Sequence, residues 1–446
     1  MMNWQQLISN KRLGQEHRHP ERHDDRTEFK RDYDRLIFSA PFRRMQNKTQ
    51  VFPLPGSIFV HNRLTHSLEV ASVGMSLGND VSQQLMKRHP ELKDTMLQEI
   101  GQIVSAACLA HDMGNPPFGH SGEKAIQSFF LEGAGSGLQR EVSAIFWNDA
   151  IHFEGNANAF RLLTHQFKGR RPGGFVITYS TLASIVKYPF ASTAAGKKGK
   201  FGFFNSEKDF YRRIANELGI ICKSEVGEPL RYARHPLVYL VEAADDICYE
   251  IMDIEDAHKL KIISFEETTD LLLRFFDDAT QQKIKQRLVE EGVTDIHEKV
   301  VYLRACVIGK LEHECVQVFI DNEEQILNGM FEGSLIDHIS TIPHEAYERC
   351  GKLSLSRIYK SKPVLDIELS GYQIMQTLLE HFIDAAVYPD RFYSKHLISR
   401  VSSQYEIDAP DLETRIMAVI DYISGMTDVY ALDIYQKIKG ISLPII

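Results

Sequence analysis

A histidine and an aspartate stand side by side at the end of an apolar stretch. His111 and Asp112 follow the apolar run from Ile100 to Ala110 and precede Met-Gly-Asn-Pro-Pro-Phe-Gly-His. An imidazole nitrogen and a carboxylate oxygen are ligands that a divalent cation accepts, and neither group is stable among apolar residues without a partner. The pair therefore predicts half of a metal site.

Two further segments supply candidates for the other half. His66 begins an amphipathic run of helical period, and Asp245 lies in the helical stretch Tyr-Leu-Val-Glu-Ala-Ala-Asp-Asp-Ile-Cys-Tyr. Four ligands on three helices, His66, His111, Asp112 and Asp245, would leave about two octahedral positions open for water and substrate. A lone His or Asp on an apolar helix face is more often a core polar residue than a ligand, but the combination favours a metal site.

A longer pattern runs through the chain in several segments. These segments are Arg43-Arg44-Met-Gln-Asn-Lys-Thr-Gln-Val-Phe-Pro-Leu, Arg63-Leu-Thr-His-Ser-Leu-Glu-Val, His111-Asp-Met-Gly-Asn-Pro-Pro-Phe-Gly-His-Ser-Gly-Glu, His152-Phe-Glu-Gly-Asn-Ala, Lys187-Tyr-Pro, Val241-Glu-Ala-Ala-Asp-Asp-Ile-Cys-Tyr and Gly425-Met-Thr-Asp. In their residue sequence and their order along the chain, they resemble the bacterial deoxyguanosine triphosphate triphosphohydrolases, a family of HD-domain phosphohydrolases. The resemblance extends from about residue 30 to the C-terminus.

A phosphohydrolase of this kind also needs an acid, because cleavage of a phosphoester leaves an alkoxide that must be protonated. His120 follows a turn that can fold back over His111 and Asp112, and Glu123, one helical turn later, could orient its imidazole. The resemblance places the family's catalytic His and Glu at these two positions. Alternatively, His120 and Glu123 only cap a helix that starts near Ser121.

The metal is less well determined by the residues than its ligands are. A divalent ion would neutralise charge on the phosphate and lower the pKa of a bound water. Two His and two carboxylates suit several ions, so we expect Mg²⁺ or Mn²⁺ first, with Fe²⁺, Co²⁺ or Zn²⁺ as alternatives. The absence of clustered Cys or His disfavours a structural zinc site.

A nucleoside triphosphate carries about four negative charges, which need cationic and hydrogen-bonding partners. Arg63 precedes His66 by three residues and shares a face with it if the segment is helical. The resemblance adds Lys187, Tyr188 and Tyr249 as further partners of the substrate. An isolated Arg or Lys would instead be interpreted as a solvated surface charge.

The sugar and the base need their own partners. Asp253 lies about two helical turns after the last candidate ligand and resembles the family carboxylate that accepts the sugar 3′-hydroxyl, and Gln50 matches a family position beside the nucleoside. Glu368 could accept hydrogen bonds from the guanine N1–H and exocyclic amine, with Arg391 or Arg400 donating to O6 and N7. A Glu with an Arg some thirty residues away is also ordinary surface chemistry.

The segment with His152, Glu154 and Asn156 also matches the family, and we expect it to form a wall of the active site. A helix N-terminus with Asn156 as the capping residue accounts for the same letters equally well.

Composition limits the class of protein. The chain has 446 residues and 43% hydrophobic residues, enough for a large core. A net charge of −9 argues against a surface that coats nucleic acid, although basic stretches run from Arg18 to Arg44 and from Lys197 to Lys200. No uncharged apolar run reaches 18 residues and no signal-like start is present, so we expect a cytoplasmic protein without membrane contact. The six cysteines show no Cys-x-x-Cys spacing and are expected to be reduced.

Helical periodicity dominates from residue 64 onward, and this predicts an all-α fold: an HD-domain helical core with an additional C-terminal helical portion. We expect a charged N-terminal arm at 1–35, an HD-type metal-binding catalytic core at 36–265, and a C-terminal helical portion at 266–446 that completes the substrate pocket and oligomer contacts. Ile296 to Leu327 is predicted as one long helix, and Ala191 to Asn205 as a mobile loop.

The favoured function is metal-dependent hydrolysis of dGTP to deoxyguanosine and inorganic tripolyphosphate. The alternatives are a broader dNTP triphosphohydrolase, an enzyme acting on a signalling nucleotide or a nucleoside monophosphate, and a regulator that binds dNTP or single-stranded DNA with little turnover. Arg63, Lys187 and Tyr249 count against the signalling nucleotide, and His120 with Glu123 counts against a pure binding role. The family implies a homo-oligomer, either a hexamer or a tetramer, and a dNTP or single-stranded DNA as an effector.

Overall fold

The computed structural model describes residues 1–17, 24–52, 60–196 and 199–441, and within these ranges it contains helices and isolated β-bridges but no strand. This confirms the predicted all-α fold. In the N-terminal half the helices are α1 (Trp4–Leu7), α2 (Glu28–Ile37), α3 (Ala40–Arg44), α4 (Arg63–Arg88), α5 (Ile100–Ala110), α6 (His120–Leu131), α7 (Ala144–Ile151), α8 (Gly155–Thr164), α9 (Tyr179–Ile185), α10 (Lys208–Glu217) and α11 (Val238–Lys259).

The C-terminal half continues in the same manner. Its helices are α12 (Phe265–Leu273), α13 (Asp278–Glu290), α14 (Ile296–Asp321), α15 (Glu323–Leu327), α16 (Thr341–Leu353), α17 (Lys362–Val387), α18 (Phe392–Ile398), α19 (Leu412–Ser424) and α20 (Asp428–Ile438). Short 3₁₀ turns lie at Met45–Asn47, Pro90–Leu92, Met96–Glu99, Ala134–Arg140, Ser192–Ala194, Asn205–Glu207 and Ile336–His338, and a π-helical turn at Ser354–Ile358.

The centre of the molecule is α5, a helix that is apolar on all sides and therefore buried on all sides. Every residue of α5 except Gln102 is buried. Helix α4 packs along it, and α2, α9 and α11 also contact it. A Cβ atom at Gly78 would lie 2.6 Å from the Cα atom of Gly101, so glycine at these positions lets α4 and α5 approach closely. This contact fixes the C-terminal end of α5 relative to the start of α4.

The start of α4 is set by a capping box. The Asn62 side chain accepts a hydrogen bond from the backbone N–H of Thr65, and the Thr65 hydroxyl oxygen accepts one from the backbone N–H of Asn62. Such a cap satisfies backbone groups that the first helical turn leaves free. It places Arg63 and His66 in the first turns of α4.

The predicted long helix is confirmed from Ile296 to Asp321 as α14, but its expected continuation to Leu327 is wrong, because the helix ends at Asn322 and α15 follows as a separate helix. Val300, Leu303 and Val307 are buried on its apolar face. Helix α14 packs on α4, α11 and α12.

A second buried cluster surrounds α17, which packs on α6, α18, α19 and α20. It joins Ile126 and Phe130 of α6 to Leu378 and Phe382 of α17 and to Ile420 of α19. Because α6 begins with His120, the C-terminal helices help to position one side of the candidate site. The region boundaries at 35 and 265 stay predictions.

The described part of the N-terminal segment packs against the first cluster in the folded chain. Trp4, Leu7 and Phe29 are buried, and Arg12 forms an ion pair of 2.6 Å with Asp32. Residues 18–23, at the start of the expected basic stretch, lie outside the described residues.

The stretch predicted as a mobile loop is packed in part, and Thr193 and Gly196 are exposed. Phe201, Phe203 and Phe204 are buried, and Ser192 donates a hydrogen bond to Asp149. Lys197 and Lys198 lie outside the described residues. The six cysteines are free, as expected for reduced side chains. Among the described residues, no helix combines the length and apolar character needed to cross a bilayer.

Candidate metal centre and active site

The four predicted ligands meet between the first turns of α4, the end of α5 and α11. His66 Nε2 lies 3.0 Å from Asp245 Oδ1, and His111 Nε2 lies 3.4 Å from the same oxygen. His111 Nε2 is 3.7 Å from Asp112 Oδ1, and ligand atoms of His66, His111 and Asp112 all lie within 4.8 Å of one another. The fold therefore brings together groups from three separate helices around one point.

The orientation of His111 fits a metal ligand. Its Nδ1 lies 2.6 Å from the Cys108 carbonyl oxygen, which can only accept, so Nδ1 carries the proton of the neutral ring. Its Nε2 is buried without a hydrogen-bond partner among the described residues. Burial opposes a charge on the ring, but Asp112 and Asp245 outweigh it and raise the pKa of His111 to about 9. A site that attracts a proton this strongly is also attractive to a divalent cation.

Asp112 is held from two sides. Arg63 Nη1 donates to its Oδ2 at 2.7 Å, and the Asn115 amide donates to its Oδ1. Burial favours the neutral acid, but Arg63 together with the two histidines holds the pKa of Asp112 below its usual value. Gly119, which has φ of +57°, lies beside the guanidinium, and a Cβ there would lie 2.6 Å from Arg63 Nη2. Arg63 thus contacts a candidate ligand directly.

His120 and Glu123 form a pair at the start of α6. The His120 side chain is 82% exposed, whereas that of Glu123 is 5% exposed, and His120 Nδ1 lies 2.9 Å from Glu123 Oε2. The other carboxylate oxygen accepts the Gly155 backbone N–H at 2.7 Å. Helix α6 begins after Gly119, and neither side chain caps it. The pairing leaves His120 Nε2 free to reach a substrate.

The neighbouring wall is built around Glu154. Its carboxylate accepts hydrogen bonds from the backbone N–H groups of Asn156 and Ala157, so Glu154 caps α8. The expectation that Asn156 is the capping residue is wrong. A carboxylate here is favoured by the positive end of the helix dipole. Lys200 Nζ lies 2.6 Å from Glu154 and 4.0 Å from Glu123, so it links the two carboxylates.

A cavity of about 610 Å³ opens between these groups, within the size range of small-molecule sites. His111, Asp112, Asp245, His120 and Glu123 line it. The predicted substrate-binding side chains that also line it are Gln50, Arg63, Lys187, Tyr188, Tyr249 and Glu368, together with Glu154 and Asn156. His66 and His152 are not among the lining residues.

Asp253 lies one layer behind the cavity wall. It is buried and accepts a hydrogen bond of 2.7 Å from the hydroxyl of Tyr359, which does line the cavity. Burial raises the pKa of Asp253 well above its usual range, although the bond from Tyr359 opposes this. Its expected contact with a sugar would therefore require Tyr359 to share or exchange its bond.

The two arginines considered for the base are not brought to the cavity. Neither Arg391 nor Arg400 is among its lining residues. Arg391 pairs with Asp384 at 3.2 Å and lies over the ring of Tyr388.

Several lining residues were missed by sequence reasoning. Asn115 and Asp246 stood inside quoted segments, and Lys200 stood in a noted basic stretch, so the chain did carry a signal for them. Burial raises the pKa of Asp246 to about 8 although Lys187 opposes this. For Tyr359 we see no signal in the sequence.

The Gly425-Met-Thr-Asp segment contributes through Asp428, in the first turn of α20. One oxygen of Asp428 accepts the backbone N–H of Thr49 at 2.8 Å, and the other accepts that of Phe118 at 2.9 Å. Phe118 has φ of +62°, a conformation that bulky residues rarely adopt without support from their surroundings. The buried Lys48 also donates to the Asn115 carbonyl and to that of Ser424. These bonds tie two loops of the site to the C-terminal helices.

The chain is similar to known proteins along nearly its whole length. The HD domain model matches residues 63–168, and the phosphohydrolase-associated domain model matches residues 340–437. The chain is 38% identical to a deoxyguanosinetriphosphate triphosphohydrolase-like protein of Pseudomonas aeruginosa, with 99% of this chain and 100% of that protein aligned. It is 39% identical to one of Synechocystis with the same coverage. It is 28% identical to the deoxyguanosinetriphosphate triphosphohydrolase of Yersinia enterocolitica, over 92% of this chain and 94% of that protein.

Proposed function

Because this chain belongs to the deoxyguanosinetriphosphate triphosphohydrolase-like family of HD-domain proteins, we propose that it hydrolyses dGTP to deoxyguanosine and inorganic tripolyphosphate. One observation carries the proposal: His111, Asp112 and Asp245, with His66 behind them, converge at a cavity that is also lined by an imidazole held by a buried carboxylate. A metal site beside an oriented imidazole serves phosphoester cleavage. A pure binding site would not need the imidazole and its carboxylate.

The cation would be held by His66, His111, Asp112 and Asp245. The unpartnered Nε2 of His111 and the two carboxylates fit a divalent ion, Mg²⁺ or Mn²⁺ first and Fe²⁺, Co²⁺ or Zn²⁺ as alternatives. When bound, the ion supplies Lewis-acid chemistry to a phosphate oxygen and to water.

The residues of the chain bind the phosphates and move the proton. Arg63, Lys187 and Lys200 offer cationic groups on the cavity wall to the triphosphate. A water oxygen forms the new bond to the α-phosphorus as the bond to the 5′-oxygen breaks. Protonated His120 gives its Nε2 proton to the departing 5′-oxygen, while Glu123 holds the ring through Nδ1. The proton released by the attacking water returns the histidine to its starting form.

The nucleoside would occupy the part of the cavity between Gln50, Tyr249 and Tyr359. Asp253 behind Tyr359 would accept the sugar 3′-hydroxyl, and Glu368 would accept from the guanine edge. The homo-oligomer stays a prediction.

Product analysis tests the proposal. The protein is incubated with dGTP and Mn²⁺, and the products are separated by anion-exchange chromatography. We expect deoxyguanosine and tripolyphosphate in equal amounts. Release of dGMP with pyrophosphate, or of dGDP with phosphate, would contradict cleavage at the 5′-oxygen, and no turnover with measurable dGTP binding would favour a regulator. Parallel reactions with dATP, dCTP and dTTP distinguish a dGTP enzyme from a broader dNTP triphosphohydrolase.

A further inference from the structure

A second pocket lies on the other side of the Lys187-Tyr188 segment. It has a volume of about 260 Å³ and shares Lys187 and Tyr188 with the lining of the active-site cavity. We call it the basic pocket, defined by the cations Lys187, Lys223, Arg231 and Arg234 with the rings of Phe190 and Tyr239. None of its features is used by the reaction described above except Lys187 and Tyr188.

Backbone pairing places the cations of the basic pocket beside the active site. The backbone N–H of Tyr232 donates to the Pro189 carbonyl at 2.9 Å, which joins the segment after Lys187 to a hairpin. Across that hairpin, the N–H of Lys223 donates to the Arg231 carbonyl at 2.7 Å. Lys223 and Arg231 therefore stand opposite each other on paired segments.

Like charges placed opposite each other on paired backbone destabilise the fold. Neither Lys223 nor Arg231 forms an ion pair with any residue that the structure describes. Lys223 Nζ donates to the Gly329 carbonyl at 2.6 Å, and Arg231 Nη2 donates to the Ala194 carbonyl at 2.7 Å. These carbonyls fix the direction of the side chains but carry no net charge, so they leave both positive charges uncompensated.

The remaining cations are only partly compensated. Lys187 and Arg234 share one carboxylate, that of Glu242, at 3.1 Å and 2.8 Å. Glu332 also lines the pocket. Asp245 and Asp246 also lie near Lys187, on the active-site side, so the positive charges without an ion pair are those of Lys223 and Arg231. Arg231 is further held with its guanidinium 4.6 Å from the centre of the Phe190 ring. The pocket has a positive excess in a chain whose net charge is −9.

We propose that the basic pocket binds the inorganic tripolyphosphate that the active site releases, and that the product leaves by this side of the Lys187-Tyr188 segment. The inference rests on the proposed function. A linear polyphosphate carries several negative charges, which the excess cations would pair with. The pocket volume is below the range of about 300–1,000 Å³ typical of sites for drug-sized ligands, so it suits a phosphate chain better than a whole nucleotide.

Binding of tripolyphosphate to the metal-free protein tests the proposal directly. Isothermal titration calorimetry is done in EDTA, because tripolyphosphate itself binds divalent ions and because the metal-free active site presents Asp112 and Asp245 to an anion. The Lys223→Gln/Arg231→Gln double variant should bind tripolyphosphate at least about tenfold more weakly than the unmodified protein. Both side chains are exposed, and unfolding curves check that the variant keeps its fold.

A matched control removes the same charge elsewhere. The Arg274→Gln/Arg287→Gln variant neutralises two exposed cations. Arg274 pairs with Asp270, and Arg287 pairs with Glu291. Its affinity for tripolyphosphate should stay within about twofold of the unmodified protein. Arg231→Lys keeps the charge and should lose less than about threefold. Equal affinities in the pocket variant and the control variant would overturn the proposal.

The source of the polyphosphate is decided by a second titration, with a non-hydrolysable dGTP analogue. If the pocket takes released product, the pocket variant and the control bind the analogue equally. If the analogue binds more tightly than tripolyphosphate and only the pocket variant loses it, the pocket holds a nucleotide and the product route is wrong. The titrations need no turnover, so a protein that fails to hydrolyse dGTP contradicts the proposed function without deciding the pocket. In an active protein, the inhibition constant of tripolyphosphate should rise about tenfold in the pocket variant.

Discussion

Replacement of Glu123 by Gln separates the orientation of His120, the proposed catalytic acid, from metal binding. His120 is an exposed side chain, and the one hydrogen bond that the structure shows for it is the 2.9 Å contact with the buried Glu123. Gln is nearly isosteric and leaves an amide oxygen to accept the Gly155 N–H, but its amide group then faces His120 Nδ1 as a second donor. The imidazole would lose its partner and rotate freely.

The size of the effect follows from the type of bond. A hydrogen bond to a charged group contributes about 1.5–3 kcal/mol. At about 1.4 kcal/mol for each factor of ten, its loss in the transition state lowers kcat by about 10- to 150-fold. This is smaller than the roughly 10²–10⁴-fold loss expected for His120→Ala, which removes the acid itself. The metal content should not change in either variant, because neither side chain belongs to the cluster of His66, His111 and Asp112.

The assay combines steady-state release of tripolyphosphate with elemental analysis of the same preparations. Glu132→Gln is the matched control, since it makes the same chemical change at an exposed position just after α6. We expect Glu123→Gln to lower kcat with KM nearly unchanged, and Glu132→Gln to match the unmodified protein. Full activity in Glu123→Gln, or activity lost in step with metal, would refute the role given to this carboxylate.

Three further outcomes are expected. His111→Ala should abolish both turnover and tight metal binding, because it removes one of four ligands; elemental analysis that found full metal occupancy would exclude His111 from the site. If Asp253 accepts the sugar 3′-hydroxyl, 2′,3′-dideoxy-GTP should be the poorer substrate by about 1–3 kcal/mol in kcat/KM, and Asp253→Ala should shrink that difference; equal kcat/KM for the two nucleotides would place Asp253 outside the sugar site. Burial disfavours a charged His61, but Asp256 and Glu69 outweigh it and raise the pKa of His61 to about 10, so its charged form stabilises the fold. That contribution is complete below about pH 6.5 and is lost as the pH rises through 10, so His61→Gln should reduce the free energy of unfolding on the order of 1–3 kcal/mol more at pH 6 than at pH 10.5. Urea denaturation at the two pH values measures this, and an equal loss at both would contradict it.

The convergence of the candidate ligands could be foreseen because ligand chemistry depends on residue type. His111 and Asp112 are polar groups at the end of an apolar helix, and such groups need partners wherever the fold places them. The all-α architecture followed from periodicity in the same way. What periodicity leaves open is the rotation of one helix against another, and this decided that Asp253 faces Tyr359 and not the cavity directly.

The cap of α8 shows a second limit of the sequence. Asn is among the preferred capping residues, so the local sequence favours Asn156 as the cap. In the structure Glu154 takes this place, and it also pairs with Lys200, which lies more than 40 residues later in the chain. Local sequence does not show which distant residue will become the partner of a given side chain.

The hydrogen bonds from Thr49 and Phe118 to Asp428 have a consequence for the synthesis of the chain. Once the ribosome has passed Asp245, all four candidate metal ligands have been synthesised, and so have His120 and Glu123. It has not yet supplied Asp428, which follows Phe118 by 310 residues and Thr49 by 379. Until that carboxylate emerges, the Phe118 N–H has no bond to α20 that would support its positive φ. The Thr49 N–H, just before Gln50, likewise lacks its bond to Asp428. The nascent chain is therefore expected to carry the candidate ligands, together with His120 and Glu123, before the loops around them are fixed.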